Sequence, residues 1–288
     1  MRTGSVEANG IEFAYLEAGE GPLVLLLHGF PDDAHTWSSQ IDALAGAGYR
    51  AVAPFMRGYP PTGPAPDGRY DAEALAADVA GLIDALGDGP ALVAGNDWGG
   101  IATHAASALH PELVRRALVI NIGHPATFFS TLLHPRQIHH VFHFWFFQQH
   151  EIAAGAMRAN DFALADYLWD YWSAPGHDYA DHLARVKRET LAPEGGVEGG
   201  LSYYPALVRL PQTHPAVAER IQGRYTVPTL TIFGDHDPPR ELSEGEHVHF
   251  EADYRLEIVA GAGHFVHRER PGEVNRLMLD WFGEGGTA

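Results

Sequence analysis

From Ile11 to Ile122 the chain alternates short apolar runs with segments whose apolar residues recur at helical spacing. Ile11–Leu16, Pro22–Leu27, Ala51–Pro54, Ala91–Gly95 and Ala117–Ile122 predict strands. Pro22–Leu27 is apolar without interruption, as expected of a strand covered on both faces. Asp32–Ala47, Asp71–Leu86 and Gly99–Leu109 predict helices; in the second, Leu75, Val79, Leu82, Ile83 and Leu86 line one face. Tyr59–Gly68, crowded with Pro and Gly, predicts a loop. Such alternation builds a mainly parallel, doubly wound sheet flanked by helices, an α/β fold.

The texture changes at Pro125. From there to Arg224 the pattern is helical, aromatic and rich in His, broken by Gly, Pro and Glu at Pro193–Gly200. Strand character returns at Thr229–Phe233 and Arg255–Val259, and Pro271–Phe282 predicts a closing helix. Residues 1–124 and 225–288 therefore read as one core, interrupted by a helical insertion at 125–224. That insertion is too long for a plain loop and is expected to form a lid over a site.

Composition narrows the partners. A chain of 288 residues can bury a full core, and 45% hydrophobic content marks it as globular. Lys+Arg number 19 against 37 Asp+Glu, a formal charge of -18. A surface so acidic repels phosphate backbones and anionic lipid, which argues against nucleic-acid or membrane partners. With no cysteine, a thiol nucleophile, a thiolate metal site and disulfides are all excluded. Met1–Gly10 lacks an apolar signal core, and no apolar run reaches the length of a membrane span, so a cytoplasmic protein is expected.

The chemistry concentrates in Gly95-Asn96-Asp97-Trp98-Gly99-Gly100, between a buried strand and a helix. This is the G-x-nucleophile-x-G shape of a tight strand-to-helix turn that exposes a reactive side chain. The central residue is Asp, whose carboxylate is ionised at neutral pH without help. Such a carboxylate attacks an sp3 carbon to give an alkyl ester, so serine-type acyl chemistry is not expected. The plainer alternative is an ordinary turn with Asp97 capping the helix.

Three further stretches each follow a strand: His28-Gly29-Phe30-Pro31, Phe233-Gly234-Asp235-His236-Asp237-Pro238 and Gly261-Ala262-Gly263-His264-Phe265. Nucleophile, acid and His thus occur in the order Asp97, Asp237, His264. His264 is the candidate base and Asp237 the acid that orients it. Asp237 fits the spacing after Gly234 better than Asp235, which reads equally as a turn residue.

With these motifs the sequence resembles the α/β-hydrolase superfamily, in its Asp-nucleophile branch of epoxide hydrolases and haloalkane dehalogenases. The resemblance spans nearly the whole chain and implies a helical lid inserted after the sixth strand. It departs at Asn96, where His usually precedes the nucleophile. It also implies that the backbone amides of Phe30 and Trp98 form an oxyanion hole for hydrolysis of the Asp97 ester. His-Gly-Phe-Pro is similar to the epoxide hydrolase form of that loop, whereas many dehalogenases carry Asn or Glu at Phe30. Trp98 keeps the dehalogenase alternative open, because an indole N–H there can bind halide. Fluoroacetate dehalogenases share the Phe form of the loop but usually carry Arg at the position of Trp98.

Epoxide hydrolases of this kind bring two lid acids to the epoxide oxygen, usually tyrosines. The matching positions are His143, within Phe142–Gln148, and Tyr204, within Gly199–Pro205, with Tyr203 as the near alternative. The implied reaction takes a small apolar epoxide and water to a vicinal diol, with no cofactor and no metal. His139 and His143 stand four apart on a predicted helix, a spacing that can ligate metal, but no acidic or thiolate partner lies nearby in sequence. A third class, a non-catalytic ligand-binding protein on this scaffold, would have no need of the triad.

Overall fold

The computed structural model describes residues 1–87, 89–237, 240, 243 and 245–284. Its strands are β1 (Arg2–Ala8), β2 (Ile11–Ala18), β3 (Leu23–Leu27), β4 (Arg50–Pro54), β5 (Ala91–Asn96), β6 (Val114–Ile120), β7 (Thr229–Gly234) and β8 (Tyr254–Val259). They form one sheet in the order β1-β2-β4-β3-β5-β6-β7-β8, antiparallel at β1 and β2 and parallel from β4 to β8. β1 carries no apolar signal in the sequence, and most of its residues are exposed. Its extended form comes from pairing with β2, from Arg2 opposite Glu17 to Ala8 opposite Ile11.

Helices α1 (Ser38–Gly46), α2 (Ala72–Leu86) and α3 (Trp98–Leu109) cover the sheet before the insertion. The expected Asp32–Ala47 helix is shortened, because the Asp33 side chain accepts from the His35 amide and caps a single 3-10 turn before α1. The two faces of the sheet feed separate cores. Leu25 and Leu27 pack toward α2 and α3, while Val24 and Leu26 pack toward α1 and the closing helices. The unbroken apolar run thus keeps the period of two that a strand requires.

The insertion contains α4 (Pro125–Thr131), α5 (Pro135–His140), α6 (Phe142–Phe146), α7 (His150–Trp172), α8 (Ala180–Val186), α9 (Gly196–Thr213) and α10 (Pro215–Ile221). α11 (Val266–Glu269) and α12 (Pro271–Gly283) follow β8. α7 is broken at Ala159–Phe162, where Asn160, Asp161 and Phe162 take left-handed backbone angles. His139 and His143, expected on one helix, lie on α5 and α6 with the chain turning at Val141. Among the described residues no helix is long and apolar enough to cross a membrane.

Specific bonds tie the insertion to the core. Tyr203 donates to the Arg57 carbonyl at 2.7 Å, and Trp169 donates to the Pro31 carbonyl at 2.9 Å. Trp169 also stacks on Phe265 with ring centres 3.7 Å apart. Buried Asp33 accepts from Arg185 at 2.7 Å and from Thr190 at 2.9 Å.

Candidate active site

Parallel strands end together, so the loops after β3, β5, β6, β7 and β8 meet at one edge of the sheet. Asp97 leaves β5 with φ 53° and ψ -118°, a conformation that turns its carboxylate away from the strand. Two residues to either side of it, at positions 95 and 99, only glycine fits. A Cβ on Gly95 would lie 2.0 Å from the Gly99 carbonyl oxygen, and one on Gly99 would lie 2.0 Å from that of Leu27. Strain of this kind persists only where the surroundings enforce it, and it concentrates at functional sites.

The Asp97 side chain does not cap α3. Its Oδ1 instead accepts from the Phe30 amide at 2.9 Å. The Trp98 amide opens α3, where an N–H has no partner within the helix. His28 holds the loop that carries Phe30: its Nε2 accepts from the Met56 amide at 3.0 Å and its Nδ1 lies 3.0 Å from the Gly29 carbonyl. Burial lowers the His28 pKa, in keeping with this neutral arrangement.

His264 Nε2 lies 3.7 Å from Asp97 Oδ2 and its Nδ1 lies 3.7 Å from Asp237 Oδ1. These spacings are longer than hydrogen bonds, as is common at unliganded sites. Burial works against the imidazolium, but the carboxylates of Asp237 and Asp97 outweigh it and push His264 up to about 10. Asp237 is buried and faces His264, whereas Asp235 accepts from the Gly261 amide at 2.8 Å and braces the next turn.

Two residues outside the expected set support this triangle. Asn121, at φ 60° beyond β6, donates to Asp237 Oδ2 at 2.6 Å and to the Gly263 carbonyl at 2.9 Å. The available signal was an Asn inside the otherwise apolar run Ala117–Ile122. Asn96, the departure noted in the sequence, donates to the His264 carbonyl at 3.2 Å.

The insertion roofs this edge. A cavity there is lined by Asp97, Trp98, Asp237 and His264 from below and by His143, Trp172 and Tyr204 from above. Tyr204 Oη, His143 Nδ1 and Trp98 Nε1 are buried and have no hydrogen-bond partner within the protein. Burial, with the Asp97 charge nearby, holds the Tyr204 phenol well above its usual pKa, so it keeps its proton. Burial lowers His143 to about 3 and leaves it neutral. Tyr203, the near alternative, points away to Arg57. His139 sets its ring edge-on to His140 and Tyr171 rather than joining His143.

An aspartate on a strained elbow, with a His and a second Asp close by, thus stands at the carboxyl edge of the sheet. Residues 22–271 match the alpha/beta hydrolase fold family, and the chain belongs to that family. It is 34% identical over 284 residues to the AB hydrolase superfamily protein YfhM of Bacillus subtilis, covering 96% of both chains. It is 28% identical to Epoxide hydrolase A of Mycobacterium tuberculosis, over 96% of this chain and 95% of that one. Among solved structures, it resembles Epoxide Hydrolase A from Mycobacterium thermoresistibile with TM-score 0.83 and 27% identity, covering 97% of each chain.

Proposed function

We propose that the chain hydrolyses an epoxide to a vicinal diol through an ester on Asp97. The observation that carries this reading is a buried phenol, Tyr204, and a buried imidazole, His143, with polar atoms unpartnered in the protein and side chains lining one cavity with Asp97. Opening an epoxide develops charge on oxygen, and a neutral phenol and imidazole supply donors to it without needing to be charged. Asp97 attacks a ring carbon, forming the C–O bond of the ester while the ring C–O bond breaks. The freed oxygen takes a proton from Tyr204, which the His264 imidazolium reprotonates. His264, now neutral and oriented by Asp237, takes a proton from water, which attacks the ester carbonyl. The tetrahedral adduct collapses, its hydroxyl proton passing to the departing diol oxygen and leaving Asp97 ionised. The Phe30 and Trp98 amides hold the oxyanion of that step.

The charge on Asp97 times the sequence. While Asp97 is ionised it helps keep His264 protonated. Ester formation removes that charge, the imidazolium loses part of its support, and His264 becomes a base when one is needed. In this reading residues 125–224 are the lid and 1–124 with 225–288 the core; residues 285–288 lie outside the described ones.

Trp98 Nε1 favours a second reading. It is buried, unpartnered and in the same cavity, as a halide donor of a haloalkane dehalogenase would be. A panel of styrene-type and aliphatic epoxides beside bromoalkanes, scored for diol and for halide, separates the two. Diol without bromide release supports the epoxide reading. Bromide release with no diol replaces it.

A further inference from the structure

The short helix α5 reverses the ordinary rule of burial. Ile138 and His139 face solvent, Ile138 at 40% exposure, while the neighbouring amide Gln137 is only 2% exposed. Gln137, His140 and Val141 line the Asp97 cavity, at the i, i+3, i+4 spacing of one helix face. The turn is closed by the Val141 amide, which donates to the Gln137 carbonyl at 2.8 Å. Where a polar and an apolar residue adjoin, the apolar one ordinarily takes the buried place, and a buried polar side chain is the informative exception. Local rules are broken in this way at functional sites.

The amide oxygen, Gln137 Oε1, is buried and has no hydrogen-bond partner among the described residues. Several polar neighbours on the cavity wall are already bonded. Thr131 Oγ1 donates to the Thr127 carbonyl at 2.9 Å, and Thr127 and Ser243 bond the Glu246 carboxyl. His140 Nδ1 lies 3.4 Å from the Tyr171 hydroxyl. A buried oxygen left without a donor is costly, the more so in a cavity walled in part by Val141 and Phe144. A molecule that brings a donor to Gln137 therefore binds better than one that brings a methyl group.

We propose that Gln137 is a specificity-determining residue of the catalytic cavity, and that the substrate is a small epoxide whose substituent carries a hydroxyl group. The inference rests on the reading of Asp97 as an epoxide-opening nucleophile. The oxirane oxygen meets Tyr204 and His143, and the hydroxyl of the substituent donates to Gln137 Oε1. A group that only accepts leaves that oxygen unpaired, and an ammonium donor loses its hydration on entering the cavity. A hydroxyl is the smallest neutral donor.

The test pairs ω-hydroxy-1,2-epoxyalkanes of three to eight carbons with the 1,2-epoxyalkanes in which a methyl group replaces the hydroxyl. It compares the wild type with Gln137→Met, which keeps the length of the side chain and deletes the amide. The readout is the ratio of kcat/KM for hydroxyl over methyl. At the chain length that reaches Gln137 the wild-type ratio exceeds that of the variant by about tenfold, the effect of leaving one buried polar group unpaired. On the methyl series kcat/KM holds or rises in the variant. Equal ratios in both proteins at every chain length overturn the proposal, as does a wild-type ratio with no maximum along the series. Gln137→Met should melt at or above the wild-type Tm, because an unpartnered buried amide is removed; a lower Tm with unchanged ratios makes Gln137 merely structural and overturns the proposal. Calorimetric titration with α,ω-alkanediols and the 1-alkanols of matching size reads the contact without turnover. A loss of about tenfold in diol affinity in Gln137→Met, with alkanol affinity kept, supports the contact even if no epoxide is hydrolysed, an outcome that would defeat only the catalytic reading. Equal diol affinity in both proteins overturns it.

Discussion

The core edge and the lid hold their candidate groups by different means. On the core side directed bonds brace the two carboxylates and the backbone that carries His264. Asp97 accepts from the Phe30 amide, Asp237 from Asn121, and Asn96 supports the His264 carbonyl. On the lid side Tyr204 and His143 are packed among rings. Tyr204 meets Phe147 and Trp98 edge-on at 4.8 and 4.9 Å, and His143 meets Trp172 at 4.7 Å. In the proposed reaction the lid side chains bond the substrate oxygen, and a proton kept for that bond cannot also anchor the side chain, so shape has to locate it.

The sharpest way to break this division is to remove a core group. Asp97→Ala is expected to cost on the order of 10⁴–10⁶ in kcat, the range seen when a covalent nucleophile is lost. His264→Gln should leave the first step and stall the second, so intact-protein mass spectrometry finds an adduct on the Asp97 peptide. An adduct elsewhere, or normal turnover by Asp97→Ala, rejects the mechanism.

Within the core, Asp237→Asn should slow ester hydrolysis by about 10⁴, as for a triad acid replaced by its amide. Asp235→Asn should be mild, because Asp235 braces the backbone of the next turn rather than His264. Stopped-flow traces that separate ester formation from hydrolysis decide between them, and the reverse ranking moves the acid to Asp235.

On the lid side, Tyr204→Phe and His143→Phe keep the packing and delete the donors. Each is expected to slow alkylation by on the order of 10²–10⁴, with smaller changes in ester hydrolysis. His143→Tyr should restore part of the loss. Unchanged alkylation in both Phe variants would remove the lid from the chemistry, and bromide release surviving in them would favour the dehalogenase.

The smallest effect concerns stability. Burial lowers His104 to about 4 and His143 and His267 each to about 3. Each therefore binds a proton in the unfolded chain, but not in the folded one, once the pH falls below the ordinary imidazole value. Stability is fully present above pH 6.5 and declines as the pH falls toward those lowered values, by about 1 kcal/mol per imidazole at pH 5.5. His264 runs the other way, its contribution lost as the pH rises toward 10. Urea midpoints at pH 5.5 and 7.5 for the wild type and His104→Phe give the sign. A variant as acid-sensitive as the wild type would exclude that imidazole as a source.

The sequence by itself determined the mainly parallel sheet and the loops that meet at one edge of it. Apolar periodicity and Gly-bounded turns are local signals, and Pro22–Leu27 and Gly95–Gly100 carry them within a few residues. It did not reveal β1, whose extended form depends on a partner strand rather than on its own residues. Only the tertiary structure decided which carboxylate faces His264, which of two adjacent tyrosines turns into the cavity, and that Asn121 grips Asp237. Asp235 and Asp237 are chemically alike, as are Tyr203 and Tyr204, so composition and spacing rank them weakly. What separates them is direction: Asp235 is spent on the Gly261 amide and Tyr203 on the Arg57 carbonyl, while Asp237 and Tyr204 face the cavity. Direction is fixed by contacts between segments far apart in the chain, and a linear pattern does not encode those contacts.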